Sequence, residues 1–182
     1  MPAIVESLEE LSLSPKDITH LAVVLGPGGF SAVRVGISCV LGLAVPKQLP
    51  VLGIPTHDVE FEPHRNLVSS DTPVYTLIPA GRNEVSWTRH AIDSEQKTGV
   101  ASPTELAQTL EPNALLCGEA CDLMTDHFKQ SQFRGHLPPT RDPSSIIDIA
   151  LDKFNLGLST AYEELRPIYA RAPSISTPKP AK

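Results

Sequence analysis

The sequence predicts an α/β chain with parallel strands, and two observations carry that reading. Residues 21–25 (Leu-Ala-Val-Val-Leu) and 51–54 (Val-Leu-Gly-Ile) are apolar runs without alternation, the pattern of strands covered on both faces. Between them lie a glycine turn, 26–29, and a helical stretch, 31–44, that stops before Pro46. Strand, helix and strand in that order make a βαβ unit and place the two strands side by side and parallel.

The remaining elements follow in order. Ile4, Val5, Leu8 and Leu11 recur at helical spacing with Glu6, Glu9 and Glu10 between them, so the chain opens inside an amphipathic helix. Ser14-Pro15 starts a short helical turn before the first strand, and Pro55-Thr56 opens another after the second. The polar stretch 62–73 carries two prolines and reads as a loosely packed connection between lobes. Residues 74–78 and 84–92 form a hairpin, and the alternation of Val85, Trp87, Arg89 and Ala91 with Ser86, Thr88 and His90 predicts one packed face and one wet face. Ser102-Pro103-Thr104-Glu105 is a capping box that leads a helix to Leu110, and 114–117 is a short buried strand. Asp142-Pro143 starts a helix with an apolar stripe of Ile146, Ile147, Ala150, Leu151 and Phe154, and Gly157 ends it. Residues 167–170 form a last strand or extended segment, and the proline-rich 172–182 is expected to be a disordered tail. The lobes are therefore 1–65 and 66–171.

Composition narrows the function. In 182 residues, 15 Lys+Arg stand against 21 Asp+Glu, a formal charge of −6, so strong direct binding to nucleic acid is disfavoured. The 41% hydrophobic content is enough for a core without disulfides or metal. Cys39, Cys117 and Cys121 lack C-x-x-C spacing, and the six histidines show no paired-ligand spacing, so no metal site is expected. A reducing cytosol suits free cysteines. Residues 1–13 have no basic leader pattern, and no apolar run approaches the roughly 18 residues of a membrane span.

The most informative segment is 26–36, Gly-Pro-Gly-Gly-Phe-Ser-Ala-Val-Arg-Val-Gly. Gly26, Gly28 and Gly29 make a structural turn in which glycine supplies positive φ or close backbone approach. It lacks the Lys-Ser/Thr of a phosphate loop and the G-x-G-x-x-G spacing, which leaves a nucleotide-binding module as the weaker reading. Small residues at Ala32, Gly36 and Cys39 put a close-approach surface on the helix, for a neighbour within this chain or a partner. Arg34 in the first turn opposes the helix dipole and calls for a specific partner, or else is simply solvated. Ser31, His57 and Asp58 do not form a hydrolase triad: Ser31 lacks a G-x-S-x-G elbow and the adjacent His-Asp pair diverges. No catalytic residue is assigned.

This segment resembles the signature G-P-G-S-F-T-G-[LV]-R-[IV]-G of the bacterial TsaB (YeaZ) family. The order of the other motifs is similar: V-x-G-[IV]-[PS]-[ST] at 51–56, D-A-R-x-x-E-V-Y at 79–86 and P-x-Y-x-R-x-P at 167–173. Gly29, Ser31 and Ala32 depart from the signature, and Pro79 and Gly81 from the hairpin motif, while Arg82, Glu84 and Val85 match it. The resemblance implies an actin-like (ASKHA, ribonuclease H-like) fold of two α/β lobes. The family begins with a three-stranded meander before its first helix, so the N-terminal lobe is expected to lack its first three strands and to leave the 21–25 strand with an open edge. The implied function is that of a non-catalytic dimerisation subunit supporting a TsaD-type enzyme in N6-threonylcarbamoylation of adenosine 37 in tRNAs reading ANN codons. A TsaE-type ATPase and tRNA would be reached through the complex, and a homodimer is a further assembly. No cofactor is expected on this subunit, whereas the complex uses ATP and a metal in the catalytic partner. The implied partner face comprises Ile4, Leu8, Leu11, Phe30, Ala32, Arg34, Gly36, Cys39 and Val40. A glycoprotease-like hydrolase of the same superfamily is the alternative.

Overall fold

The computed structural model describes residues 2–69, 71–81, 83–92, 95–129, 132–134 and 141–171. The expected tail at 172–182, and Arg82 of the hairpin motif, lie outside the described residues. The chain runs α1 (Pro2–Glu10), β1 (Leu21–Gly26), α2 (Phe30–Ala44), β2 (Val51–Pro55), α3 (Thr56–Phe61), β3 (Val74–Gly81), β4 (Glu84–His90), β5 (Lys97–Ala101), α4 (Pro103–Thr109), β6 (Leu115–Cys117) and α5 (Pro143–Asn155). β1 and β2 form a parallel pair, and the second sheet has the order β5-β4-β3-β6.

The βαβ reading holds, with Leu21 opposite Val51 through Val24 opposite Ile54. Both faces of this pair are covered, as continuous apolar strands require. Val23, Leu25 and Val51 pack against Ile37 and Ala44 of α2. Leu52 and Ile54 pack against Val59 of α3 and Ile149 and Ala150 of α5, with Ala22 and Val24 at the margin. The second cover comes from the far end of the chain, so the division at residue 65 separates sheets but not cores. The α5 stripe is rotated from its expected position: Ile146, Ile149, Ala150 and Phe154 face the sheet, while Ile147 and Leu151 are exposed. Ser145 is buried in the same helix, which moves the packed face by one position.

Among the described residues β1 pairs with no strand but β2. The segment after α5 closes the sheet in a different way. Thr160 donates its N–H to Val51 O at 2.7 Å and accepts from Gly53 N on its hydroxyl at 3.0 Å. Ile168 donates its N–H to Leu25 O at 2.7 Å. Residues 167–170 are thus an extended strap and not a strand. Ser14-Pro15 is a turn closed by Ser14 N–H and hydroxyl bonds to Asp17, not a helical turn. The connection at 62–73 is largely exposed, as its composition suggests, and Arg65 pairs at the surface with Glu62 and with Asp152 of α5.

In the second sheet β3 pairs antiparallel with β4 and parallel with β6, and β4 pairs antiparallel with β5, a strand the polar sequence at 97–101 concealed. One face carries Tyr75, Leu77, Val85 and Leu116 against Leu106, Leu110 and Met124. The face expected to be wet is buried: Thr76, Ser86, Thr88 and His90 lie under α3. Ser102 caps α4 in the full reciprocal box with Glu105.

Gly26 has φ +103°, and a Cβ there would stand 2.5 Å from Ile168 O, so the strap passes where only glycine leaves room. Gly26→Ala is therefore expected to lower stability by about 2 kcal/mol or more, whereas Gly28→Ala, whose Cβ would make ordinary contact, changes it by less than about 0.5 kcal/mol. Urea midpoints of the two variants at constant m check this.

Candidate functional site

Two places gather the residues with chemical or recognition potential: the exposed side of α2, and the joint where α3 meets the second sheet. α2 has Gly29 as its N-cap with no side-chain cap, and only Ile37 and Ala44 along its length are fully buried. Val33, Val40 and Leu41 complete the inward stripe. Helical geometry puts Ala32, Val35, Cys39 and Gly42 on the opposite side. Val35 is 61% exposed, and a Cβ on Gly42 would find nothing within 4 Å. This outer side is a ridge of Ala32, Cys39 and Gly42 with the exposed Val35 among them and open space above Gly42.

The expected partner-face residues divide accordingly. Ala32 is exposed and Cys39 half-buried on the outer side. Gly36 faces inward, where its Cβ would meet Val23 at 3.8 Å, and Val40 belongs to the core against β1, so both serve packing within the chain. Ile4 and Leu8 are half-buried and Leu11 is 69% exposed; α1 contains no fully buried residue. Val5, Leu13, Val35 and Val45 add exposed apolar surface that the sequence reading left out. The window Phe30–Lys47 is, by length and composition, apolar enough to cross a membrane, although only 11% of it is buried; the interruption at Arg34 hides this in the sequence.

Arg34 has a specific partner, but neither a carboxylate nor the backbone. Its Nε donates to Tyr169 Oη at 2.6 Å, and its guanidinium lies 3.9 Å from the centre of the Phe30 ring. Phe30 and Tyr169 are stacked at 4.9 Å. The cluster fastens the strap to the first turn of α2, and Arg171 continues the strap to Glu84 at the start of β4. The glycine turn has its close approach at Gly26; Gly28 and Gly29 are exposed, and φ is −56° at Gly29.

At the joint, His57 of α3 reaches the second sheet. Its Nδ1 lies 2.9 Å from Thr76 Oγ1 and its Nε2 3.0 Å from Ser86 Oγ, while His90 Nε2 lies 3.1 Å from the same Thr76 oxygen. Thr76 donates to Thr88 O, so both histidine nitrogens facing it donate, and Ser86 donates to His57 Nε2. A neutral His57, donating through Nδ1 and accepting at Nε2, fits this pattern. Burial, with the charge of Arg141 adding to it, pushes His57 down to about 4; burial, with His57 beside it, does the same to His90. Phe61 stacks on His90 with centroids 3.9 Å apart. Ser31 is exposed on α2 and has no part in this network. Ser86 and His57 sit as a nucleophile and base would, yet Nδ1 faces a hydroxyl where acyl-transfer chemistry places a carboxylate, so nothing there stabilises an imidazolium. Among the described residues no three His, Cys, Asp or Glu side chains converge as metal ligands.

A cleft of about 620 Å³ separates Gly28 and Gly29 from the β3–β4 turn. Its Arg141 is held by Glu60 and Glu119 and its Arg171 by Glu84, so carboxylates outnumber these two arginines.

A parallel βαβ pair and a four-stranded mixed sheet with helices packed on them make an α/β chain of actin-like fold. The family model described as "TsaD: tRNA N6-adenosine threonylcarbamoyltransferase" matches residues 1–115, and the chain belongs to that family, on its TsaB (YeaZ) branch. It is 28% identical over 185 residues to the tRNA threonylcarbamoyladenosine biosynthesis protein TsaB of Escherichia coli K12, covering 94% of this chain and 78% of that one. A stretch of 78 residues, 42% of this chain, is 33% identical to 22% of the tRNA N6-adenosine threonylcarbamoyltransferase of Fusobacterium nucleatum. Among solved structures, YeaZ from Pseudomonas aeruginosa superimposes with a TM-score of 0.71 at 21% identity over 92% of this chain and 81% of that one. A Pseudomonas aeruginosa protein described as similar to the peptidase YEAZ gives 0.70 at 20% identity, over 93% and 82%. These superpositions establish the fold.

The joint makes stability depend on pH. Both histidines have folded values near 4 against 6.5 unfolded, so the stability of the neutral rings is complete above pH 6.5 and lost as pH falls towards 4. The loss is at most about 3 kcal/mol per histidine. Thermal midpoints measured from pH 7.5 to 4.5 are expected to fall, and to fall less in His57→Gln and in His90→Gln.

Proposed function

We propose that this chain is a non-catalytic scaffold subunit of tRNA threonylcarbamoyladenosine biosynthesis that binds a TsaD-type enzyme through α1 and the outer side of α2. The observation that carries the reading is the ridge of Ala32, Val35, Cys39 and Gly42. It is open to a partner helix on an element whose inward stripe alone is satisfied. Small residues let helix backbones come close, and a largely apolar helix left half-uncovered calls for a second cover. Protein is the better cover than lipid, because α2 is packed on β1 and carries Arg34 engaged with Tyr169. The family membership and the TsaB relative supply the pathway.

In this reading the 1–65 lobe meets the partner and the 66–171 lobe supports it. The protein works in the cytoplasm, a TsaE-type ATPase joins through the complex, and a homodimer uses the same face when the enzyme is absent. The subunit binds no cofactor; ATP and metal belong to the complex. A net charge of −6 leaves tRNA contact to the assembly.

Gly42→Leu separates an interface role from a structural one, because the two effects have opposite signs. Removing a helix-interior glycine stabilises the isolated chain by up to about 1 kcal/mol. A bulky side chain on the outer ridge should weaken binding to the TsaD-type subunit of the same organism about tenfold or more, measured by biolayer interferometry. Val35→Arg should do the same with an unchanged melting temperature. Unaltered affinity in both folded variants would remove this face from the interface.

A further inference from the structure

Beneath the strap lies a cleft of about 290 Å³ that the scaffold reading does not use. Its walls come from stretches far apart in sequence: Pro27 after β1, Pro55 and Asp58 around the start of α3, Thr88 of β4, Thr98 and Val100 of β5, and Ile168 of the strap. It is therefore made by the assembled fold and not by one loop. From these walls, we infer that the cleft is a binding site for a small, hydroxyl-bearing primary amine.

Three features select that chemistry. Asp58 is the one charged side chain among the described lining residues, and neither Lys nor Arg joins it in the lining, so the walls favour a cationic ligand over an anionic one. Asp58 is held by Gln96, and burial pushes its carboxyl up against the opposing charge of Lys153, which lines the neighbouring cleft; an arriving ammonium would supply the counter-charge at short range. Beside it, Thr98 and Gln96 offer a hydroxyl and an amide for a ligand hydroxyl. Pro27, Pro55, Val100 and Ile168 form the apolar wall for a short carbon frame. A mostly apolar concavity with a few convergent polar groups is the usual form of a small-molecule site. The ligand would lie between the two sheets and under the strap, in contact with elements from both lobes.

The test is titration of the full chain with 2-amino-1,3-propanediol by calorimetry and ligand-observed NMR at pH 7.5. Glycerol serves as the probe that keeps the hydroxyls and lacks the amine. Saturable one-to-one binding of the amine is expected, with glycerol binding at least about tenfold more weakly, and Asp58→Asn is expected to weaken the amine about tenfold or more. Ala170→Trp, which fills the cleft from the strap side, should abolish binding while the thermal midpoint shows the chain folded. That variant decides the question if Asp58→Asn does not fold. Absence of saturable binding, equal binding of glycerol, or an affinity that survives both substitutions would overturn the proposal.

Discussion

The crossing of the strap over the glycine turn is the constraint from which the rest of this molecule follows. Ile168 donates its N–H to Leu25 O, and its own carbonyl stands where any side chain at position 26 would have to go. From that crossing Tyr169 reaches Arg34 and Phe30 on α2, and Arg171 reaches Glu84 on β4. One short extended segment thus joins the two-stranded sheet, the first turn of α2 and the four-stranded sheet. The backbone at Gly26 is shaped for this chain's own carbonyl, which accounts for a glycine at that one position of the turn.

With the strap in place, the division of labour between the two ends of the chain becomes clear. β1 and β2 are too apolar to leave bare, and they receive one cover from α2 and the other from α3 and α5. α2 turns Ile37, Leu41 and Val40 inward, while Val35 stands outward among the small Ala32, Cys39 and Gly42. Small residues on that side leave room for another backbone to approach closely. The same logic runs in reverse at the joint, where polar residues are buried but satisfied: Thr76 serves two histidines, and its hydroxyl hydrogen goes to Thr88. A buried polar network of this kind fixes orientation at the cost of tolerance to protonation.

Much of the fold was legible in the sequence because local rules and tertiary packing agree. The apolar runs at 21–25 and 51–54, the capping box at Ser102 and the proline starts of α4 and α5 all act within a few residues. The misreadings have the opposite origin. The Ser86–Thr88–His90 face reads as wet because alternation reports only the chemistry of a strand, and the helix that buries it, with His57, comes from another part of the chain. β5 was missed because an edge strand of Lys97, Thr98 and Gly99 has little apolar content and is held by backbone pairing to β4. At the candidate site the residues were found but their directions were not. Small residues at Gly36 and Gly42 look alike in sequence, and only the helix orientation set by Ile37 and Ala44 turns one towards Val23 and the other outward. The demand of Arg34 for a partner was visible; that it would be a tyrosine 135 positions away was not.

Hydrogen exchange of this chain, alone and with the TsaD-type subunit of the same organism, tests the central claim most directly. If the ridge on α2 is the partner face, amides of Phe30–Ala44 and of α1 should gain protection in the mixture, while those of β5 and α4 keep the rates of the free chain. Protection confined to the second sheet, with α1 and α2 unchanged in a mixture shown to be associated, would contradict the account.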